Sequence, residues 1–497
     1  MSENSQRERD WGVIDRPMSQ LVEESRYRAF VARDRRFAGR FVAAVTTTGV
    51  YCRPGCPARL PRRDHVRFYA CAAAAEAAGF RACMRCRPDA APGSPAQAGT
   101  SATVARALRL IADGAADSLD GDRGVEALAG RLGVGARHLR RLFAEQLGAS
   151  PIAVAQTRRA HFARQLLEQT ALPIAEVALA SGYASIRRFN GAIRRTFART
   201  PTELRKKAIA SDDQMILRLP FRPPLDWESL LAFLAARATP GVESVSGGEY
   251  RRSFALDGAA GVLTVRALDE SALALAVRAD ARALQQAVAR ARRLFDLDGD
   301  PHAVAAHLAL DGKLAPLVGA RPGLRVPGAW DAFEVVVRAV LGQQVAVRAA
   351  TTMAGRLAAR FGEPLDGGGA IDRLFPTAQA LARARIDRLR AIGLTQRRAE
   401  TIVALARAVE EGRVRFDGAA DELAAQLTAL DGIGPWTASY AAMRLGEPDA
   451  FPDGDHALAR ASGLDARALA EAAEAWRPYR AYAALHLWTM GTKGAAT

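Results

Sequence analysis

The sequence predicts a multidomain, mainly α protein. Its expected parts are a small α+β module, an all-α pair of helix-turn-helix units, a small α+β domain built on an antiparallel sheet, and an all-α C-terminal domain. Three observations predict this. At roughly 100 to 200 residues per domain, a chain of 497 residues exceeds a single core. All five cysteines fall between Cys52 and Cys86, which sets the front of the chain apart. Charge also changes abruptly. Residues 1–100 hold 17 Lys/Arg against 10 Asp/Glu, residues 101–207 hold 18 against 9, and the remainder holds 34 of each, so the formal +16 lies wholly in the first 207 residues.

Composition narrows the function classes. With 49% hydrophobic and 25% charged residues, each part can bury an ordinary core. No apolar run approaches the roughly 20 residues of a bilayer crossing, so no membrane partner is expected. The polar start MSENSQRERD lacks the apolar stretch of a secretory signal, which predicts a cytoplasmic location. A basic front is the electrostatic footprint of a nucleic-acid binder.

The elements follow in order. Residues 1–92 contain the cysteines. Residues 93–103, small, polar and Pro/Gly-bearing, read as a linker. Residues 104–207 are helical in period: Leu139, Leu142, Phe143 and Leu147 mark one apolar face, Ile186, Phe189, Ile193 and Phe197 another. Gly133 and Gly182 sit in the turns before them, giving two helix-turn-helix units in tandem. Residues 214–325 change pattern. Val262–Arg266 and Leu273–Val277, parted by Asp269-Glu270-Ser271, read as an antiparallel hairpin. From 326 to 497 helix follows helix.

Cys52-x3-Cys56 and Cys83-x2-Cys86 supply four thiolates for one tetrahedral Zn²⁺. Spacing alone favours a metal that only staples the module. The stretches TTTGVYCRPGCPAR (46–59) and GFRACMRCRPD (79–89), however, resemble the N-terminal domain of the Ada alkylation-response family. That resemblance implies Cys52, Cys56, Cys83 and Cys86 as zinc ligands, and Cys52 as the nucleophile that takes a methyl group from a DNA methyl phosphotriester. Zinc keeps the thiol deprotonated at neutral pH. Methylating one of four zinc thiolates reduces the formal charge of the site from about −2 to about −1, which lowers its repulsion from DNA phosphates. Arg53 and Arg59 flank the motif.

Residues 104–207, closing with GYASIRRFNGAIRRTFARTPTELRK, resemble an AraC-type DNA-binding domain. By that analogy and helical phase, Arg137, His138 and Arg141, then Ser185, Arg187, Arg188 and Asn190, are candidates for promoter contact. Residues 181–207 carry 8 Lys/Arg against one Glu, a bias that favours phosphate contact. The regulator resemblance implies RNA polymerase as a partner to be tested, and a nucleoid location.

In the last part, Leu430-Asp431-Gly432-Ile433-Gly434-Pro435-Trp436 reads as helix, tight hairpin, helix, with Gly432 and Gly434 presenting backbone N–H groups to a phosphate. Downstream lies Phe451-Pro452-Asp453-Gly454-Asp455. With 223–245, 320–347 and WRPYRAYAALHLW (476–488), residues 214–490 resemble the AlkA-type 3-methyladenine DNA glycosylases of the helix-hairpin-helix superfamily. The resemblance implies alkylated double-stranded DNA as substrate, base flipping, and Asp455 as catalytic carboxylate with Asp453 as the alternative. It implies Trp436, Tyr440, Tyr479 and Gln343 around the base, Tyr479 standing for a cleft Trp of the family, and Gln344 as the residue that wedges into DNA. Trp436 stands where bifunctional relatives carry a lysine, so excision without strand cleavage is expected. The lack of cysteine after Cys86 excludes a thiol-dependent methylguanine methyltransferase domain and an iron-sulfur cluster.

Overall fold

The computed structural model describes residues 20–86, 88, 102–115, 122–206, 215–366 and 368–492. Most of the expected linker 93–103 lies outside these residues, and its last two open the helix Ala102–Leu110. The chain forms two compact units, Met1–Ala210 and Ser211–Thr497.

In the first unit, β1 (Val42–Val45), β2 (Val50–Cys52), β3 (Val66–Tyr69) and β4 (Arg81–Ala82) form a sheet of order β3-β1-β2-β4. The β2–β4 pair is parallel and sets Tyr51 opposite Ala82. The following recognition helices are Ala136–Leu147, burying Leu139, Phe143 and Leu147, and Ile186–Phe197, burying Phe189, Ile193 and Phe197. Each fully buried side chain of this size contributes about 1.5–3 kcal/mol. One expected core residue departs from the pattern. Ile186 is 51% exposed, because Ser185 caps the helix one residue earlier and its first turn overhangs the core. The cysteine module and the helix-turn-helix helices share a core: Ala73 and Ala74 of the module's helix Ala72–Ala77 pack with Val104, Leu128, Leu139 and Phe143.

In the second unit, β5 (Met215–Pro220), β6 (Glu243–Ser246), β7 (Glu249–Leu256), β8 (Ala259–Asp269) and β9 (Ala272–Arg278) form a sheet of order β5-β9-β8-β7-β6. The expected hairpin is β8–β9, with Val265 facing Leu275, and Asp269 accepts the Ser271 N–H at 2.9 Å to hold the turn. Helices Pro301–Leu308 and Ala315–Ala320, expected with the sheet, bury Val304, Leu308 and Val318 against Trp476, Tyr482 and Leu485 near the C-terminus. A second helical core runs from Phe333 to Ala441. Sheet and helices meet through buried charge: Arg252 of β7 bonds Glu334 at 2.8 Å, and Arg338 bonds Glu243 of β6 at 2.7 Å. Among the described residues no helix is long and apolar enough to cross a membrane.

Candidate functional site

The hairpin between helices Ala420–Thr428 and Pro435–Arg444 depends on Gly432. Its φ of 88° is left-handed, and a Cβ there would lie 2.1 Å from Thr401 Oγ1, whose hydroxyl donates to the Asp431 carbonyl at 3.0 Å. Ile433 is buried beneath the turn. Gly434 caps the second helix with no side-chain cap and Pro435 follows at its first position, so the first-turn N–H groups of this helix have no capping side chain.

Gln343 braces this hairpin. Its Nε2 donates to the Gly432 carbonyl at 2.8 Å and to the Thr437 hydroxyl at 3.1 Å, so its amide nitrogen is committed to the scaffold. Gln344 is exposed with φ 56°, a left-handed conformation that costs a non-glycine residue on the order of 1 kcal/mol.

Asp455 sits at the N-cap of the helix His456–Ser462, where Oδ1 accepts the backbone N–H groups of Ala457 at 2.8 Å and Leu458 at 2.9 Å. Capping alone would explain those two bonds. Two indoles converge on the same carboxylate: Trp436 Nε1 donates to Oδ2 at 2.9 Å and Trp488 Nε1 to Oδ1 at 3.2 Å. Asp453, in the same loop, is exposed.

One helical turn apart, Trp436 and Tyr440 stack with centroids 5.4 Å apart and planes 7° from parallel, and Trp488 leans across Tyr440 at 6.3 Å and 58°. Three aromatic rings thus gather beside one carboxylate. Arg444 holds the far end of Tyr440, donating to its hydroxyl at 2.7 Å. Burial pushes the Tyr440 phenol up, but the Arg444 and Arg237 guanidiniums outweigh it and leave the phenol more acidic than usual.

Tyr479 is another of the residues expected around the base. Its ring packs against His307 and Tyr482, and both Tyr479 and Trp488 lie against the cluster around Trp476, but the indole that reaches Asp455 is that of Trp488. Tyr479 precedes the helix Arg480–Thr492, and Trp488 lies in its third turn. Trp488 ends the quoted WRPYRAYAALHLW, but in an apolar helix its spacing looks the same as that of a core residue.

At the other end of the chain the buried Cys52, Cys56, Cys83 and Cys86 bring their sulfurs within 4.8 Å of one another. Tetrahedral zinc with Zn–S near 2.3 Å requires sulfurs about 3.8 Å apart, so the donor set fits that ion. Strand pairing positions them: Cys52 ends β2, and the Cys83 N–H, just past β4, donates to the Tyr51 carbonyl at 3.0 Å. Cys71 stands outside the cluster, its thiol donating to the Leu147 carbonyl at 3.3 Å, and burial pushes it up to about 11.

On the recognition helices Arg137, His138, Arg141, Ser185, Arg187 and Arg188 are exposed and Asn190 is partly so. Arg141 bonds His138 at 3.0 Å and Glu145 at 3.2 Å. Ser185 accepts the Arg188 N–H at 3.3 Å, which makes it a helix cap first.

Known proteins match the same segments. The family model for the metal binding domain of Ada matches residues 25–89, and a helix-turn-helix domain model matches 128–207. The AlkA N-terminal domain model matches 216–331, and that of the HhH-GPD superfamily base excision DNA repair protein 337–472. The probable bifunctional transcriptional activator/DNA repair enzyme AlkA of Mycobacterium tuberculosis is 46% identical over 479 residues, covering 93% of this chain and 95% of its own length. DNA-3-methyladenine glycosylase 2 of Escherichia coli is 38% identical over 276 residues, 54% of this chain and 95% of its own. A solved 3-methyladenine DNA glycosylase from Archaeoglobus fulgidus, 24% identical, superposes with a TM-score of 0.51 over 56% of this chain and 99% of its own, which shows the shared fold.

Proposed function

This chain belongs to the family of bifunctional transcriptional activator/DNA repair enzymes of the AlkA type, and from that membership we propose how its residues divide the work. It joins a zinc-bearing, alkylation-responsive transcription regulator to a DNA-3-methyladenine glycosylase in one chain. DNA is the partner of both halves. Contact with RNA polymerase and action on the cytoplasmic nucleoid belong to the proposal as the setting in which an activator works.

In the glycosylase half, the alkylated purine leaves the stack and enters the cleft of Trp436, Tyr440 and Trp488, whose faces suit an electron-poor, cationic base. The C1′–N bond breaks, the electron pair departs with the base and neutralises it, and water adds to C1′ as its proton leaves. Asp455 stabilises the oxocarbenium-like sugar and orients that water. Its four N–H donors fix it for this role. The hairpin N–H groups at Gly432 and Gly434 hold a phosphate, Gln344 fills the space left by the flipped base, and Gln343 keeps the loop in register with the hairpin.

In the regulator half, zinc when bound keeps its four thiols as thiolates. Cys52 attacks the methyl carbon of a phosphotriester, forming an S–CH3 bond while the C–O bond breaks and its electron pair stays on the phosphate oxygen, leaving an ordinary diester. Arg137, His138, Arg141, Arg187, Arg188 and Asn190 meet promoter DNA.

The observation that carries the excision reading is the convergence of Trp436 and Trp488 on Asp455 beside the stacked Tyr440. Incubation of methylated duplex DNA with wild type and with Asp455→Asn tests it. Free 3-methyladenine released by wild type alone is expected. Equal release by both would remove Asp455 from the reaction, and release by neither would leave a damage-responsive regulator whose second half only binds DNA.

A further inference from the structure

Within the first unit, a cleft of about 1230 Å³ separates the cysteine module from the second helix-turn-helix unit. Helix Ala72–Ala77 and Arg81 of β4 form one wall, and the recognition helix Ile186–Phe197 forms the other. It exceeds the roughly 300–1,000 Å³ of a small-molecule pocket and is open, the shape of a groove for a polymer.

Its charge has one sign. Arg81, Arg159, Arg187, Arg188 and Arg195 line it, against the single acid Glu76. Glu76 is already occupied: Tyr51, His161 and Thr157 bond its carboxylate at 2.8, 2.9 and 2.6 Å. The Thr157 and His161 bonds tie the module to the long helix Pro151–Gln169, whose His161 ring in turn packs edge-on against Phe197 of the second wall. The rims carry the accessible charge, since Arg81 and Arg195 are exposed and a Cβ on Gly191 would stand 3.8 Å from Arg195 Nη1, so that guanidinium lies over a bare stretch of helix. At the base, Arg159 is 6% exposed. Its Nη1 donates to the Gly182 carbonyl at 3.1 Å, and its Nε is buried without a partner. A buried guanidinium short of acceptors beside four more is stabilised by an anion.

We propose that this cleft holds a DNA phosphodiester backbone, so that Arg81, two residues before the zinc ligand Cys83, and Arg195, past the expected reading residues, grip the strand that the second recognition helix meets. The proposal rests on the DNA-binding reading of the first unit and deepens it. The methyl-accepting module then adds phosphate contacts to the second helix-turn-helix unit.

The test measures binding of the full, zinc-loaded chain to an unmethylated random-sequence duplex by fluorescence anisotropy, from about 50 to about 200 mM salt. Wild type is compared with Arg81→Ala, Arg195→Ala, the double variant, Arg81→Lys and Arg188→Ala. Each alanine at 81 or 195 should flatten the slope of log K against log salt by about 0.9, the double variant by about twice that, and Arg81→Lys should restore it, since each lost phosphate contact removes one counterion-release step. Unchanged slopes for both alanine variants, with a flatter one for Arg188→Ala, would overturn the cleft and leave the recognition helix standing. A wild-type affinity independent of salt would overturn the DNA-binding reading and the cleft with it. Unchanged DNA slopes together with displacement of bound polyglutamate in the alanine variants alone would reassign the cleft to an acidic protein.

Discussion

Asp455 serves three helices at once, capping one and receiving the indoles of two others. Trp488→Phe tests the contribution of one indole, because it removes the indole N–H while leaving a smaller aromatic ring beside Tyr440. A hydrogen bond to a charged group contributes about 1.5–3 kcal/mol, so single-turnover excision should slow about tenfold to a hundredfold while substrate binding holds. A loss of binding with an unchanged rate would make Trp488 a wall of the pocket only. Two residues before it lies His486, 3% exposed, its Nδ1 buried without a partner. Burial, helped by the Arg321 guanidinium, pushes its imidazole down to about 4. The folded state thus binds fewer protons than the unfolded one between about 4 and about 6.5. Stability from this group is complete above about pH 6.5 and lost as pH falls towards 4, on the order of 3 kcal/mol in all. Urea midpoints of the second unit at pH 7.5 and 4.5 should differ less in His486→Leu than in wild type. Asp455 was legible in the sequence because a hairpin motif and a Gly/Pro loop surround it. Trp488 was not, because one indole in an apolar helix carries no sign of which way it faces, and Gln343 showed its residue type but not that its amide braces the hairpin.

At the scale of elements, alternation made β8 and β9 legible, since one face of each must be buried for the pair to be stable. Pro301–Leu308 falls in the stretch expected to form the sheet domain, yet the core that receives it lies about 170 residues on, at Trp476 and Leu485. The join between sheet and helices was illegible for a similar reason. Nothing in the sequence marks Arg252, Glu243 and Glu334 as partners, yet they are 2%, 6% and 4% exposed, with Arg252 bonded to both acids and Glu243 also to Tyr250 and Arg338. Glu334→Ala leaves the buried Arg252 and the half-buried Arg338 with one acid between them. Breaking a buried pair in this way costs about 3–5 kcal/mol, so the urea midpoint of the second unit should fall sharply. A change under about 1 kcal/mol would show that water reaches the network.

For the whole molecule, charge and cores are partitioned alike. All of the net +16 belongs to the first 207 residues, and the clusters around Phe143 and around Cys52 lie within Met1–Ala210, whereas those around Val336 and around Trp476 lie within Ser211–Thr497. Two units with separate cores should unfold in two transitions. Zinc contributes to only one of them. Its four ligands are buried in the small core with Phe30, Phe41 and Phe68, and losing the ion there leaves clustered thiols in place of a bonded centre. Because Ala73 and Ala74 of the same module pack with Leu139 and Phe143, the damage should spread into the helix-turn-helix helices and lower the transition of the whole first unit. Calorimetry of the full chain before and after treatment with a strong chelator, with base excision assayed on the same samples, reads both effects. The expected result is one transition shifted to lower temperature, the other unmoved, and 3-methyladenine release retained. If both transitions shift and release is lost, the halves are energetically coupled, and methyl acceptance at Cys52 then has a route by which to alter excision as well as transcription.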